Sequence, residues 1–431
     1  MSNTNIIHIK NGRVIDPAND IDKSLDLYLA DGKILSVGTK PSGFKADKTI
    51  DASNSIVMPG IVDLCTRFRD PGLEDKGNIA TETAAAAAGG ITTICIPPDT
   101  EPCIDSTAVA ELIYQRAALA ANCHVVTQAA LTIGLQGEQL SEMALLKKQA
   151  NSVGVSNGLK PLKNILVMRR AMEYAASCGM TIFLHCEDVG LANNGCAHEG
   201  ALSTRLGLPA IPESAETAAV SRDLMLIEQT GVRAHFSHIS SSNALQMIIQ
   251  AKQQGLPVSV DISIHHLHLI DLDIGFFDSN CHVIPPLRSQ RDKDGLRMSL
   301  QQGNVDVLCS DHQPHSADAK LAPFSATEPG ISGLETLLPL SLRLVKDKVL
   351  DLKTMIEKLT TEPAKILGID AGTLSVGSSA DICIFNPDIQ WTVNTNKFVS
   401  AGHNTPFADW ELQGKVTHTL LDGKLVYQTK D

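Results

Sequence analysis

Histidine, aspartate and arginine gather at the ends of strand-like runs in this chain, where one face could bring them together. Arg67 and Arg69 follow the apolar run 56–64, Asp99 follows 91–98, and His185 and Glu187 close 181–187. His238 lies near the end of 233–240, while His265, His266, Asp311 and His312 close 258–266 and 305–312. Neutral imidazole and carboxylate are the groups that ligate a divalent ion or move a proton near neutral pH. Arginine grips a carboxylate through two parallel hydrogen bonds. A single such histidine is more simply a hydrogen-bonded core or capping residue. Four of the eight runs ending in His or Asp, however, is poorly explained by chance placement.

The runs that would position these residues cover 56–64, 91–98, 124–131, 152–156, 181–187, 233–240, 258–266 and 305–312. They are nearly continuous in Val, Ile and Leu, as strands covered on both faces are. Helical patterns separate them, which is the signature of a parallel sheet with crossover helices. A closed eight-stranded barrel is expected ahead of an open doubly wound sheet, since no G-x-G-x-x-G or Walker loop follows the first run. Barrel enzymes place their chemistry at the C-terminal ends of the strands. Outside this region both termini read as short β segments with Asp31-Gly32 and Asp422-Gly423 hairpins, expected to pair into one small sandwich. The expected domains are therefore 1–55 plus 372–431 for the sandwich and 56–371 for the barrel.

Length and composition agree. A chain of 431 residues has room for a barrel and an accessory domain, and aromatics at 4% leave small aliphatic side chains to fill the core. A net charge of −12 without any basic run excludes nucleic acid and anionic membrane as expected partners. Met1–Lys10 has neither the charged nor the apolar segment of a leader, and no 18-residue apolar stretch follows, so a cytoplasmic location is expected. The ten cysteines form no C-x-x-C pair and are expected to be reduced and mostly buried.

Nine motifs in order carry a resemblance: PGIVDLCTRFRDPG (59–72), GGITTICIPPDTEP (89–102), HCEDVGL (185–191), IPESAE (211–216), SHIS (237–240), PPLR (285–288), SDHQPH (310–315), GISGLETLLPL (330–340) and NTPFADWELQGKV (404–416). Singly most are weak. Together, along nearly the whole chain, the sequence resembles the dihydroorotase family of the longer bacterial type. Dihydropyrimidinases, allantoinases and collapsin-response proteins share the barrel, but SDHQPH, PPLR, GLET and the compact length favour dihydroorotase. The resemblance implies an α/β fold, the amidohydrolase-type (β/α)8 TIM barrel with a small β-sandwich built from both termini.

It also implies a metal centre, and here the sequence departs from the pattern. The family's first strand ends in a His-x-His pair, and these positions are Cys65 and Arg67. Arginine stays protonated and offers no lone pair. The family's bridging carboxylate or carboxylated lysine falls at Ser156 and Asn157, with Lys160 a few residues beyond. His185, His238 and Asp311 match ligand positions, Asp311 being also the family's general base. Two His and one carboxylate can hold a single zinc. Arg69 matches the arginine that grips the substrate carboxylate, and His315 a substrate-contacting histidine. Asp99 stands where the family has asparagine, and is expected to repel the substrate and draw Arg69 to itself. Arg67 is expected to take the missing cation's place and pair with Asp311, because the first and eighth strands of a closed barrel are neighbours.

The resemblance then implies a catalytically inactive homologue with vestigial site residues and no cofactor. Its family precedent is an inactive dihydroorotase-like chain that supports aspartate carbamoyltransferase in pyrimidine synthesis, here expected as a homodimer. Two alternatives stand beside it: an active cyclic amidohydrolase with one zinc on His185, His238 and Asp311, and a collapsin-response-like scaffold, which would be longer and carry disordered tails.

Overall fold

The computed structural model describes residues 6–429, so the reading made on Met1–Asn5 lies outside the described residues. Eight parallel strands pair in chain order: Ile61–Asp63 (β1), Ile91–Ile96 (β2), His124–Ala130 (β3), Gly154–Ser156 (β4), Thr181–His185 (β5), Ala234–Ser237 (β6), Val258–Ser263 (β7) and Val307–Cys309 (β8). The edges meet at the C-terminal end, where a parallel bridge joins Thr66 to His312 and the Arg67 N–H donates to the His312 carbonyl at 2.9 Å. The sheet is thus a (β/α)8 barrel. Four of its helices begin on side-chain caps: Asn78, Asn164, Ser241 and Ser289 each accept a first-turn N–H of Ile79–Ala88, Ile165–Ser177, Ser242–Gln253 and Gln290–Gln301.

Successive strand residues point to opposite faces, and the buried clusters record this. Ile61, Ile94, Ile182 and Leu308 pack outward under the helices, whereas their neighbours Val62, Cys95, Phe183 and Val307 fill a separate inner cluster. Ala364 and Leu367, from the helix Thr361–Leu367, join that inner cluster.

The run 56–64, expected as one barrel strand, divides at Gly60. Ile56–Pro59 pairs with Ile382–Thr392 and Arg13–Asp16 in the terminal sheet, and only Ile61–Asp63 joins the barrel. A Cβ on Gly60 would lie 2.0 Å from the Thr92 hydroxyl, so glycine is required where the chain passes from one sheet to the other. That six-stranded sheet takes strands from both termini, and a four-stranded sheet from the N-terminal region lies beside it. Ile7, Ile9, Leu27, Ile382, Ile384 and Leu420 form their common core. All ten cysteines are free, eight of them buried. Among the described residues no helix is long and apolar enough to cross a membrane.

Candidate functional site

The barrel mouth is organised around a buried arginine. Arg67 Nε donates to Asp99 Oδ2 at 2.8 Å, and Nη1 donates to Asp311 Oδ1 at 3.2 Å and reaches Cys65 Sγ at 3.4 Å. The side chain is 4% exposed and Asp311 only 1%. Burial opposes the guanidinium charge, but Asp99, Cys65 and Asp311 outweigh it and raise the pKa. The pairing expected between Arg67 and Asp311 is therefore present, and Asp99 shares it.

His238 faces the same carboxylate. Its Nε2 lies 3.8 Å from Asp311 Oδ1, while Nδ1 meets Asp261 Oδ1 at 3.3 Å and Ser263 Oγ at 3.2 Å. Burial disfavours its charge, yet Asp311 and Asp261 lift the pKa well above the ordinary histidine value. His185 is different. Neither ring nitrogen has a hydrogen-bond partner, and burial, helped by His238 and Arg67, pushes its pKa down to about 3. Ligand atoms of Cys65, His238 and Asp311 lie within 4.8 Å of one another, a group that His185 does not join.

The substrate-side residues are arranged otherwise than expected. Asp99 pairs with Arg67, and no Asp99–Arg69 bond forms among the described residues. Arg69 instead donates to the Pro314 carbonyl at 3.3 Å and meets His315 Nε2 at 3.1 Å. Arg67 already occupies Asp99 Oδ2 at 2.8 Å, and Arg69 itself holds a left-handed φ of 64°. Burial and the neighbouring Arg67 lower its pKa to about 10. His315 is also committed, with Nε2 2.9 Å from the Pro329 carbonyl and its backbone N–H on Asn404 Oδ1 at 2.8 Å.

Asn157, at the bridge position, accepts from Thr132 Oγ1 at 2.8 Å and donates to the Lys160 carbonyl at 2.7 Å. The Lys160 side chain is exposed. Cys65, Arg67, Gln128, Ser156, His185 and His238 border a cavity of ≈ 20 Å³, space for one water-sized group. Ligand pockets commonly measure about 300–1,000 Å³.

Several strong interactions escaped the sequence reading. His312, placed with the site residues by its position, is structural: Nδ1 accepts the Gly333 N–H at 3.0 Å and Nε2 meets Glu82 at 2.9 Å. Arg288 of PPLR donates to Glu216 of IPESAE at 3.2 Å and to Ser240 of SHIS at 2.9 Å, so three distant motifs meet in one buried ion pair. The rings of His265 and His266 lie buried with centroids 4.5 Å apart and planes tilted by 40°. Only the order of the motifs hinted that they belong together.

Glu335 of GLET yields a pH prediction. Its Oε1 accepts N–H groups of Val399 and Ser400 at 2.8 and 3.2 Å, yet burial pushes its pKa from 4.5 up to about 7. The folded chain then holds this proton more tightly than the unfolded chain does. The contribution is full below pH 4.5 and is lost as pH rises to about 7. Glu335→Gln should remove about 2–3 kcal/mol of this pH dependence, measured as the difference between wild-type and variant urea melts at pH 4.5 and 7.5. Parallel slopes for the two proteins would show that Glu335 does not titrate this way.

A (β/α)8 barrel with His and Asp at the ends of β5, β6 and β8 and a sandwich from both termini is the arrangement of the amidohydrolase superfamily. L-hydantoinase (dihydropyrimidinase) from Arthrobacter aurescens superposes with a TM-score of 0.88 at 26% identity, covering 99% of this chain and 96% of that one. Dihydropyrimidinase from Brevibacillus agri shares the fold, with a TM-score of 0.86 at 20% identity over 99% and 96% of the two chains. Residues 54–244 match the dihydro-orotase-like family and residues 318–427 the amidohydrolase family. A dihydroorotase-like protein of Pseudomonas putida is 48% identical over 98% of this chain and 99% of its own length. A dihydroorotase of Geobacter sp. is 41% identical over 97% and 99%. This chain belongs to the dihydroorotase-like family.

The metal centre implied by that family can be tested against these residues. A divalent ion among Cys65, His238 and Asp311 would lie beside a guanidinium that already contacts two of the three. The bridge position offers an amide turned toward Thr132 and Lys160. These residues do not fit a two-metal centre.

Proposed function

We propose that this chain is a catalytically inactive dihydroorotase homologue. In this reading it serves in the cytoplasm as a structural or regulatory subunit that supports aspartate carbamoyltransferase. The observation that carries the inactive reading is Arg67, whose guanidinium contacts Cys65 and Asp311 at expected metal-ligand positions and Asp99 at an expected substrate position. The cavity of ≈ 20 Å³ bordered by Cys65, Arg67, His185 and His238 agrees, being too small for a pyrimidine ring. The partner follows from the family precedent: a barrel kept intact around a closed mouth is retained for its surface. A homodimer joining carbamoyltransferase chains would suit that role.

The unpartnered nitrogens of His185 favour a second reading, a hydrolase with a single zinc on His185, His238 and Asp311. One experiment separates them. The purified protein should contain well under one zinc per chain and hydrolyse no dihydroorotate, because disturbing even outer-shell groups costs about 10–100-fold in metal affinity or activity. Stoichiometric zinc with turnover would establish the hydrolase instead. Coexpression with the host's carbamoyltransferase should give one larger species by size-exclusion chromatography. Separate elution, with carbamoyltransferase active and stable alone, would refute the scaffold.

A further inference from the structure

Large apolar side chains are seldom left bare in groups, yet three share the loop after β7. Leu272, Phe276 and Phe277 are 61%, 98% and 45% exposed. The loop is firmly held. Ile274 and Cys281 are buried beneath it, the Asp278 N–H donates to the Ile274 carbonyl at 2.8 Å, and the Asp271 N–H donates to the Arg288 carbonyl at 2.8 Å. Lys320 Nζ ties the Ser279 carbonyl at 3.1 Å, and Leu321, next to it, is itself 79% exposed.

Phe277 has a left-handed φ of 67°. That conformation costs about 1–3 kcal/mol and persists only where the surroundings fix it. The backbone is therefore set in a shape that holds Phe276 out in water. Asp271, Asp273 and Asp278 flank the aromatic pair, and residues 270–281 contain no Lys or Arg.

We propose that the loop 270–281 is a docking knob, with Phe276 entering an apolar pocket rimmed by lysine or arginine on a partner protein. The proposal rests on the scaffold reading, under which that partner is the carbamoyltransferase chain. A rigidly presented aromatic loses little conformational freedom on binding, and such residues dominate interface energies when a pocket desolvates them. The acidic flank selects the occupant. Two copies of this loop meeting about a two-fold axis would set aspartates against aspartates, and an anionic lipid surface would repel them, whereas a basic rim attracts them. The loop follows β7 and so lies at the mouth end of the barrel.

The test uses the full chain and the host's carbamoyltransferase, with Kd measured by biolayer interferometry and the thermal melt as a check on folding. Phe276→Ser should raise Kd at least about 30-fold with an unchanged melt. Asp271→Asn with Asp273→Asn and Asp278→Asn should also weaken binding and flatten its salt dependence. Leu119→Ser, at an 87% exposed position on the helix Thr107–Ala120, should bind as wild type. If wild type binds and Phe276→Ser binds equally well, the knob is wrong and the scaffold reading survives. If wild type does not bind, the scaffold reading falls and the knob with it. If Phe276→Ser instead converts a dimer of this chain into monomers while partner binding is unchanged, a second copy is the occupant and the proposal is overturned.

Discussion

Arg67→Met should destabilise the folded chain by about 3–5 kcal/mol, the cost of leaving buried carboxylates without their cation. Two acids depend on that guanidinium, Asp99 at 2.8 Å and Asp311 at 3.2 Å, and Asp311 is 1% exposed. His238 is the only other cationic group within 4.0 Å of Asp311 among the described residues, and at 3.8 Å it also serves Asp261. Adding Asp99→Asn and Asp311→Asn to Arg67→Met should recover much of the loss, since it removes the charges that were stranded. Urea denaturation of the variant and the triple variant measures both effects. An Arg67→Met protein within about 0.5 kcal/mol of wild type, the range of an ordinary surface substitution, would show that water or rearrangement satisfies the acids.

A loss of similar size is expected at a second buried ion pair, Arg288 with Glu216. Arg288 and Glu216 are each 3% exposed and joined at 3.2 Å. Glu216 also accepts the backbone N–H groups of Ser240 and Ser241 at 3.1 and 2.9 Å, and Arg288 fans out to Ser240 Oγ, the Ile211 carbonyl and His198. Arg288→Met should cost about 3–5 kcal/mol. Arg288→Lys should recover less than half of this, because an ammonium cannot reproduce the planar fan of donors. Full rescue by lysine would mean that charge alone matters there. The result bears on how family motifs are read: IPESAE, SHIS and PPLR persist in a chain whose metal positions have changed, and this ion pair gives them a structural reason to do so.

The strands, their order and the terminal sandwich were legible in the sequence because periodicity and composition are local signals. An apolar run of five to nine residues declares a covered strand wherever it lies. The division of the run at Gly60 was not legible, since the need for glycine comes from Thr92, a residue of another strand. At the mouth, the family resemblance already implied that Cys65 and Arg67 stand where a His-x-His pair is expected and Asn157 where an acid is expected. Chemical identity needs no coordinates.

Which group pairs with which was decided only by the tertiary structure. Sequence reasoning gave Asp99 to Arg69, the nearer match by motif, yet the fold gives it to Arg67. His312 looked like a site residue until its ring was found between Glu82 and Gly333, and Phe276 gave no sign that it would stand in water. The physical reason is the same in each case. A side chain's type and spacing fix what it can do, but its partner is set by the path of the backbone and by residues hundreds of positions away, as Arg69 shows by meeting Pro314 and His315.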